Sequence, residues 1–226
     1  MAMATSLKSR KNLRAQGGFS LIEMICVLAV VSVMASLAMP AITGIVTGDR
    51  LSNNAYTLSD VIQQARAAAM ARHTYVWVGF SSYTGADGVP TVMVASLTGN
   101  SGQASDLTSN NYVLSEKPAI LRNVAITGAA NYATLPGYDS SVTTTDVASQ
   151  GYSFLATVAG RTNASFSDVI AFNPNGEANL AQSSTGTLQL VQCLGMGLQI
   201  APSSSKLHVA AIQVRGLSGD VTVLRQ

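Results

Sequence analysis

The sequence predicts an α+β protein: one long N-terminal helix, apolar in its first half, with its second half packed on an antiparallel β-sheet. Three observations predict it. From Met24 to Met39 there are 16 consecutive residues without a charge. Further on, Leu51, Ala55, Leu58, Ile62, Ala65 and Ala69 recur at alternating spacings of four and three, a single apolar stripe along a helix. After His73 that period stops, and the chain becomes rich in the β-branched and aromatic residues that suit strands. A helix followed by a run of strands is the α+β order.

The length of 226 residues allows one ordinary domain plus an anchor. Charged residues make up only 11%, against roughly 25% in ordinary soluble proteins. Ala, Gly, Ser, Thr and Asn take their place, which describes a polar, weakly charged surface of the secreted or assembled kind. The net charge of +2 is unevenly spread. Lys8, Arg10, Lys11 and Arg14 precede Gly18, and no acid does; without that leader nine bases face 11 acids. A mildly acidic product argues against general nucleic-acid binding, which needs a basic patch. Cys26 lies in the apolar run and Cys193 far downstream, so no disulfide is expected and a packed core must supply stability.

Phe19 to Ile42 is 24 residues, interrupted only by Glu23 and Pro40. At about 1.5 Å per residue it covers a bilayer core of about 30 Å. A secretory signal would have a shorter apolar region ending in small residues; here the small residues Gly17 and Gly18 come first. The preceding bases hold the N-terminus in the cytoplasm and send the rest outward. Glu23 is then the oddity, because an acid in a membrane segment is costly without a role.

Gly18-Phe19-Ser20-Leu21-Ile22-Glu23 resembles the cleavage and methylation signal of type IV prepilins and type II secretion pseudopilins. The resemblance implies a membrane peptidase cutting after Gly18, N-methylation of the new terminus Phe19, and an assembly role for Glu23 as fifth mature residue. Cutting after Gly17 instead would put Ile22 fifth. Pro40 becomes the 22nd mature residue, where many members carry a helix-kinking proline. In a filament Glu23 would be buried among apolar helices, tolerable only with a paired charge, and the Phe19 amine of a neighbouring subunit supplies one. Residues 1–18 are then a leader that is removed, 19–42 a transmembrane and assembly helix, 43–72 an amphipathic helix and 73–226 a β-rich, pilin-like head.

Pro40 removes a helical hydrogen bond and is expected to kink or open the helix. Gly44 and Gly48 form either a close-approach pair or a flexible neck. Strands are expected at Tyr75–Phe80, Thr91–Leu97, Ile120–Thr127, Asp168–Phe172, Thr187–Cys193, Leu207–Arg215 and Val221–Leu224, the last two as a hairpin across Gly216–Asp220. Gly99–Asn111 and Gly128–Gln150 read as loops, the second a mobile insertion. Leu58–Arg72 and Val169–Gly176 are similar to minor pseudopilins of the GspH/FimT type; some members of the Verru_Chthon cassette group also carry such leaders.

No catalytic or metal constellation stands out, and no cofactor is expected. His73 reads as a cap at a helix end and His208 as a surface residue. Asn173-Pro174-Asn175-Gly176 is a turn by its own chemistry and lacks the ligand series of a calcium loop. Asp139 and Asp146 read as solvated loop acids. The function expected is structural: a pilus or pseudopilus subunit in the inner membrane, its N-terminus cytoplasmic and its head periplasmic or extracellular. Its partners would be the prepilin peptidase, other pilin or pseudopilin subunits, the inner-membrane assembly platform and, before assembly, membrane lipid. One alternative is a DNA- or ligand-binding minor pilin using Arg215 and Arg225. Another is a membrane-tethered enzyme.

Overall fold

A computed structural model describes residues 20–149, 152–182, 187–201 and 208–225, without the side chains of 38–48 and 149. The chain divides after Gly44 into two units. Helix α1 spans Leu21–Arg72, and its backbone stays helical at Pro40, Gly44 and Gly48.

Within the second unit, α1 buries the stripe read from the sequence: Leu51, Ala55, Leu58, Ile62, Ala65 and Ala69 are all buried. Complete burial of Leu58 or Ile62 is worth about 1.5–3 kcal/mol each. The helix stops through the backbone. His73 takes φ of 51° and the Thr74 N–H reaches back to the Ala69 carbonyl at 3.2 Å, the left-handed helix ending that glycine usually makes. The Thr74 hydroxyl then donates to the Gly99 carbonyl at 2.9 Å. His73 thus ends the helix through its backbone.

Thirteen strands follow among the described residues. In chain order they begin β1 (Val76–Thr84), β2 (Pro90–Gly99), β3 (Tyr112–Leu114), β4 (Ala119–Arg122) and β5 (Val124–Thr127). After a short helix α2 (Ala129–Tyr132) come β6 (Thr144–Asp146), β7 (Phe154–Val158), β8 (Arg161–Phe172) and β9 (Ala178–Ala181). The last are β10 (Leu188–Leu190), β11 (Cys193–Ile200), β12 (Val209–Arg215) and β13 (Val221–Arg225). The architecture is α+β, but with two sheets where the sequence predicts one. The first runs β10-β9-β8-β1-β2-β3, with β4 also on β2 and β7 also on β8. The second runs β13-β12-β11-β5, with β6 parallel to β11.

Both sheets turn one face to the α1 stripe. Val76, Val78, Phe80, Ile170 and Phe172 from the first sheet join Leu194, Met196, Leu198, Ile212 and Val214 from the second in a single core. The strand period of two sends the alternate residues the other way: Trp77, Met93, Ala95, Leu97 and Phe166 form a separate core with Leu107 and Phe154.

Two expected strands are each divided between the sheets. Ile120–Thr127 breaks at Asn123, whose φ is 60°; its N–H bonds the Pro90 carbonyl of one sheet and its carbonyl accepts from Ala201 N beyond β11. That break lets Leu121 and Val124 share the α1 core, which an unbroken strand would forbid because they lie three residues apart. Thr187–Cys193 likewise separates into β10 and the start of β11. The expected mobile insertion Gly128–Gln150 instead contains α2 and β6, and buries Tyr132, Leu135 and Val147. The β7–β8 hairpin escapes the sequence reading, although Ala159 and Gly160, with φ of 53° and 77°, make the two-residue left-handed turn that favours tight hairpins. The C-terminal hairpin is β12–β13, as the sequence predicts.

Candidate functional site

The N-terminal stretch of α1 is the strongest candidate. Its first turn is closed by Met24 N bonding the Ser20 carbonyl at 3.2 Å. Eleven large apolar side chains, from Leu21 at 77% exposure to Leu37 at 76%, lie open, far more apolar surface than a monomer in water leaves uncovered. The stretch also satisfies its own hydroxyl groups. The hydroxyls of Ser32 and Ser36 fold back onto the Ala29 and Val33 carbonyls, each at 2.8 Å, so neither needs an outside partner.

Glu23 sits exposed in the first turn, where the positive end of the helix dipole favours an acid. It makes no ion pair with any described residue. Gly18 and Phe19 lie outside the described residues. Pro40 is placed by its backbone alone. Among the described residues no helix is long and apolar enough to cross a membrane; the described side chains stop at Leu37, while the uncharged run continues in sequence to Met39.

The head offers less chemistry. Among the described residues no three His, Cys, Asp or Glu side chains gather as a metal group. His208 is exposed just before β12. Asn173 organises its turn: its side-chain oxygen accepts from Asn175 N and Glu177 N, both at 3.0 Å, its side-chain amide donates to the Glu177 carboxylate at 2.5 Å, and Gly176 takes φ of 83°. Asp146 is not a solvated loop acid. It is half-buried and accepts from Ala129 N at 2.7 Å, Ala148 N at 3.2 Å and the Tyr132 hydroxyl at 3.4 Å. Arg215 and Arg225 stand at opposite ends of the β12–β13 hairpin, with Arg225 over the Tyr56 ring, so they do not form one basic patch.

One junction was not legible in the sequence. Arg66 of α1 reaches Asp220 at 3.4 Å, in the loop between β12 and β13. Beneath it Gly219 and Gly176 nearly touch, and a Cβ on Gly219 would lie 2.3 Å from the Gly176 carbonyl. Each stretch shows its own turn signal, but nothing local says that these turns meet.

Residues 13–39 match the family of the prokaryotic N-terminal methylation motif. No curated protein and no solved structure matches. The matched segment takes in Gly18, Phe19, Glu23 and the apolar run. By that segment, with Lys8, Arg10 and Lys11 before it and an α+β fold after it, the chain is type IV prepilin- or pseudopilin-like at its N-terminus.

Proposed function

We propose that this protein is a structural subunit of a type IV pilus or type II secretion pseudopilus, whose function is assembly and not catalysis. Prepilin peptidase cuts after Gly18, and Phe19 becomes the N-methylated terminus. The apolar helix first anchors the chain in the inner membrane, with the head outside, and then packs among the helices of neighbouring subunits. The observation that carries this reading is the methylation motif over residues 13–39, set on a helix with its apolar side chains uncovered. Glu23 explains itself in this setting. A carboxylate entering an apolar bundle needs a positive partner, and cleavage creates one at the terminus of the adjacent subunit. The long polar segments of the head favour a minor subunit, and the resemblance of Leu58–Arg72 and Val169–Gly176 points to the GspH/FimT kind.

The test is co-expression with a prepilin peptidase and mass spectrometry of the N-terminus. The expected product begins with methylated Phe19. An intact leader, or cleavage near Ala38, overturns the reading.

A further inference from the structure

The outer face of the second sheet is only half covered. Alternate residues of β11, β12 and β13 point away from α1: Cys193, Gly195 and Gly197, then Ala211, Gln213 and Arg215, then Thr222 and Leu224. The Tyr132 ring lies over Gly195 and Gly197, and with Leu135 it shields Ala211 and Leu224. That cover ends near Gly137, whose φ is 82°. Beyond it, the other half of the face is the floor of a cleft of about 470 Å³, within the size range of ligand pockets.

The cleft combines a few polar groups with an apolar lip. Cys193 and Gln213 are buried in its floor, and Asp139, Val142 and Leu217, the last 72% exposed, are among the residues that line it. Its two charges are unequally satisfied. Asp139 accepts from both the backbone N–H and the hydroxyl of Ser141, which hold its carboxyl below the usual carboxylate range, with Arg215 assisting. The Arg215 guanidinium is exposed and makes no ion pair or hydrogen bond with a described residue. Asp139 feels its field but lies beyond ion-pair distance. The group left to bind is therefore a planar cation, which suits a carboxylate by two parallel hydrogen bonds. Leu217 and Val142 provide the apolar contact beside it.

We propose that this cleft binds the free C-terminal carboxylate of a peptide ending in an apolar residue, with Arg215 holding the carboxylate and Leu217 covering the last side chain. The site lies wholly in the head, so it does not depend on the assembly reading of the N-terminal helix.

The test titrates the full chain in detergent micelles with acetyl-Gly-Gly-Leu as the free acid and as its C-terminal amide. A charge-assisted pair makes the amide weaker by about tenfold or more, and Arg215→Gln weakens the acid by a similar factor, whereas Arg225→Gln leaves it unchanged. Arg215 is exposed, so the variant folds; circular dichroism checks this. Equal binding of acid and amide, wild-type binding by Arg215→Gln, or no binding of either peptide overturns the proposal. Displacement of the peptide by an oligothymidylate through Arg215 also overturns it, and assigns the cleft to phosphate.

Discussion

The Tyr132 hydroxyl sits where a side chain on Gly195 would have to go: a Cβ there would lie 2.4 Å from the phenolic oxygen. The ring continues over Gly197, whose Cβ would meet Tyr132 Cδ1 at 2.7 Å. Two glycines in one strand, which by themselves weaken it, make room for the aromatic that seals half the sheet.

Gly195→Ala is therefore expected to destabilise by about 1–3 kcal/mol through overpacking. The nearest obstacle is the phenolic oxygen, so Tyr132→Phe should recover part of the loss. Denaturant unfolding of the four members of the double-mutant cycle measures the coupling; strict additivity would contradict the contact.

Gly219→Ala meets both a positive φ of 66° and the Gly176 carbonyl. Neither can give way without moving a turn, and the expected cost is about 2 kcal/mol or more. Asp220→Ala removes only the exposed ion pair with Arg66, worth at most about 1 kcal/mol. Thermal unfolding should rank the two variants in that order, which places the strength of the junction in backbone packing and not in charge.

Asp168 gives a prediction of opposite sign. It lies in β8 at φ of 57°, where the pairing with β1 shifts register. Burial, and to a lesser degree the nearby Asp146 carboxylate, raise its pKa against the Ser167 hydrogen bond. A carboxyl raised above its unfolded value of about 3.9 stabilises the fold while protonated, and that contribution is lost as pH rises through the folded value. Asn tolerates the same backbone conformation. Asp168→Asn should therefore increase stability at neutral pH by a few tenths to about 1 kcal/mol, with the gain vanishing below about pH 4. Unfolding measured at both pH values checks the sign.

Glu23→Ala leaves the sequence at Gly18 and Phe19 untouched, so the peptidase should still process it, while incorporation into filaments falls. Fractionation of sheared filaments after co-expression with the assembly machinery reads both steps in one experiment. Normal incorporation would argue against pairing between Glu23 and the Phe19 amine.

The sequence by itself determined the N-terminal segment and the helix. The motif from Gly18 to Glu23, the uncharged run to Met39 and the stripe from Leu51 to Ala69 are local patterns. A helix turns every 3.6 residues whatever it packs against, so its buried face can be read from spacing alone. Turn chemistry was local in the same way at Asn173–Gly176 and Gly216–Asp220. Only the tertiary structure decided how the strands are shared. Asn123 sends β4 and β5 to different sheets, and the Gly128–Gln150 stretch folds over β11 because pairing partners lie far apart in sequence, where propensity says nothing about them. The same long-range closure turns Asp146 from a loop acid into a half-buried acceptor. It also brings Arg215, Gln213 and Cys193 around one cleft, since three strands and a distant loop must meet before that surface exists.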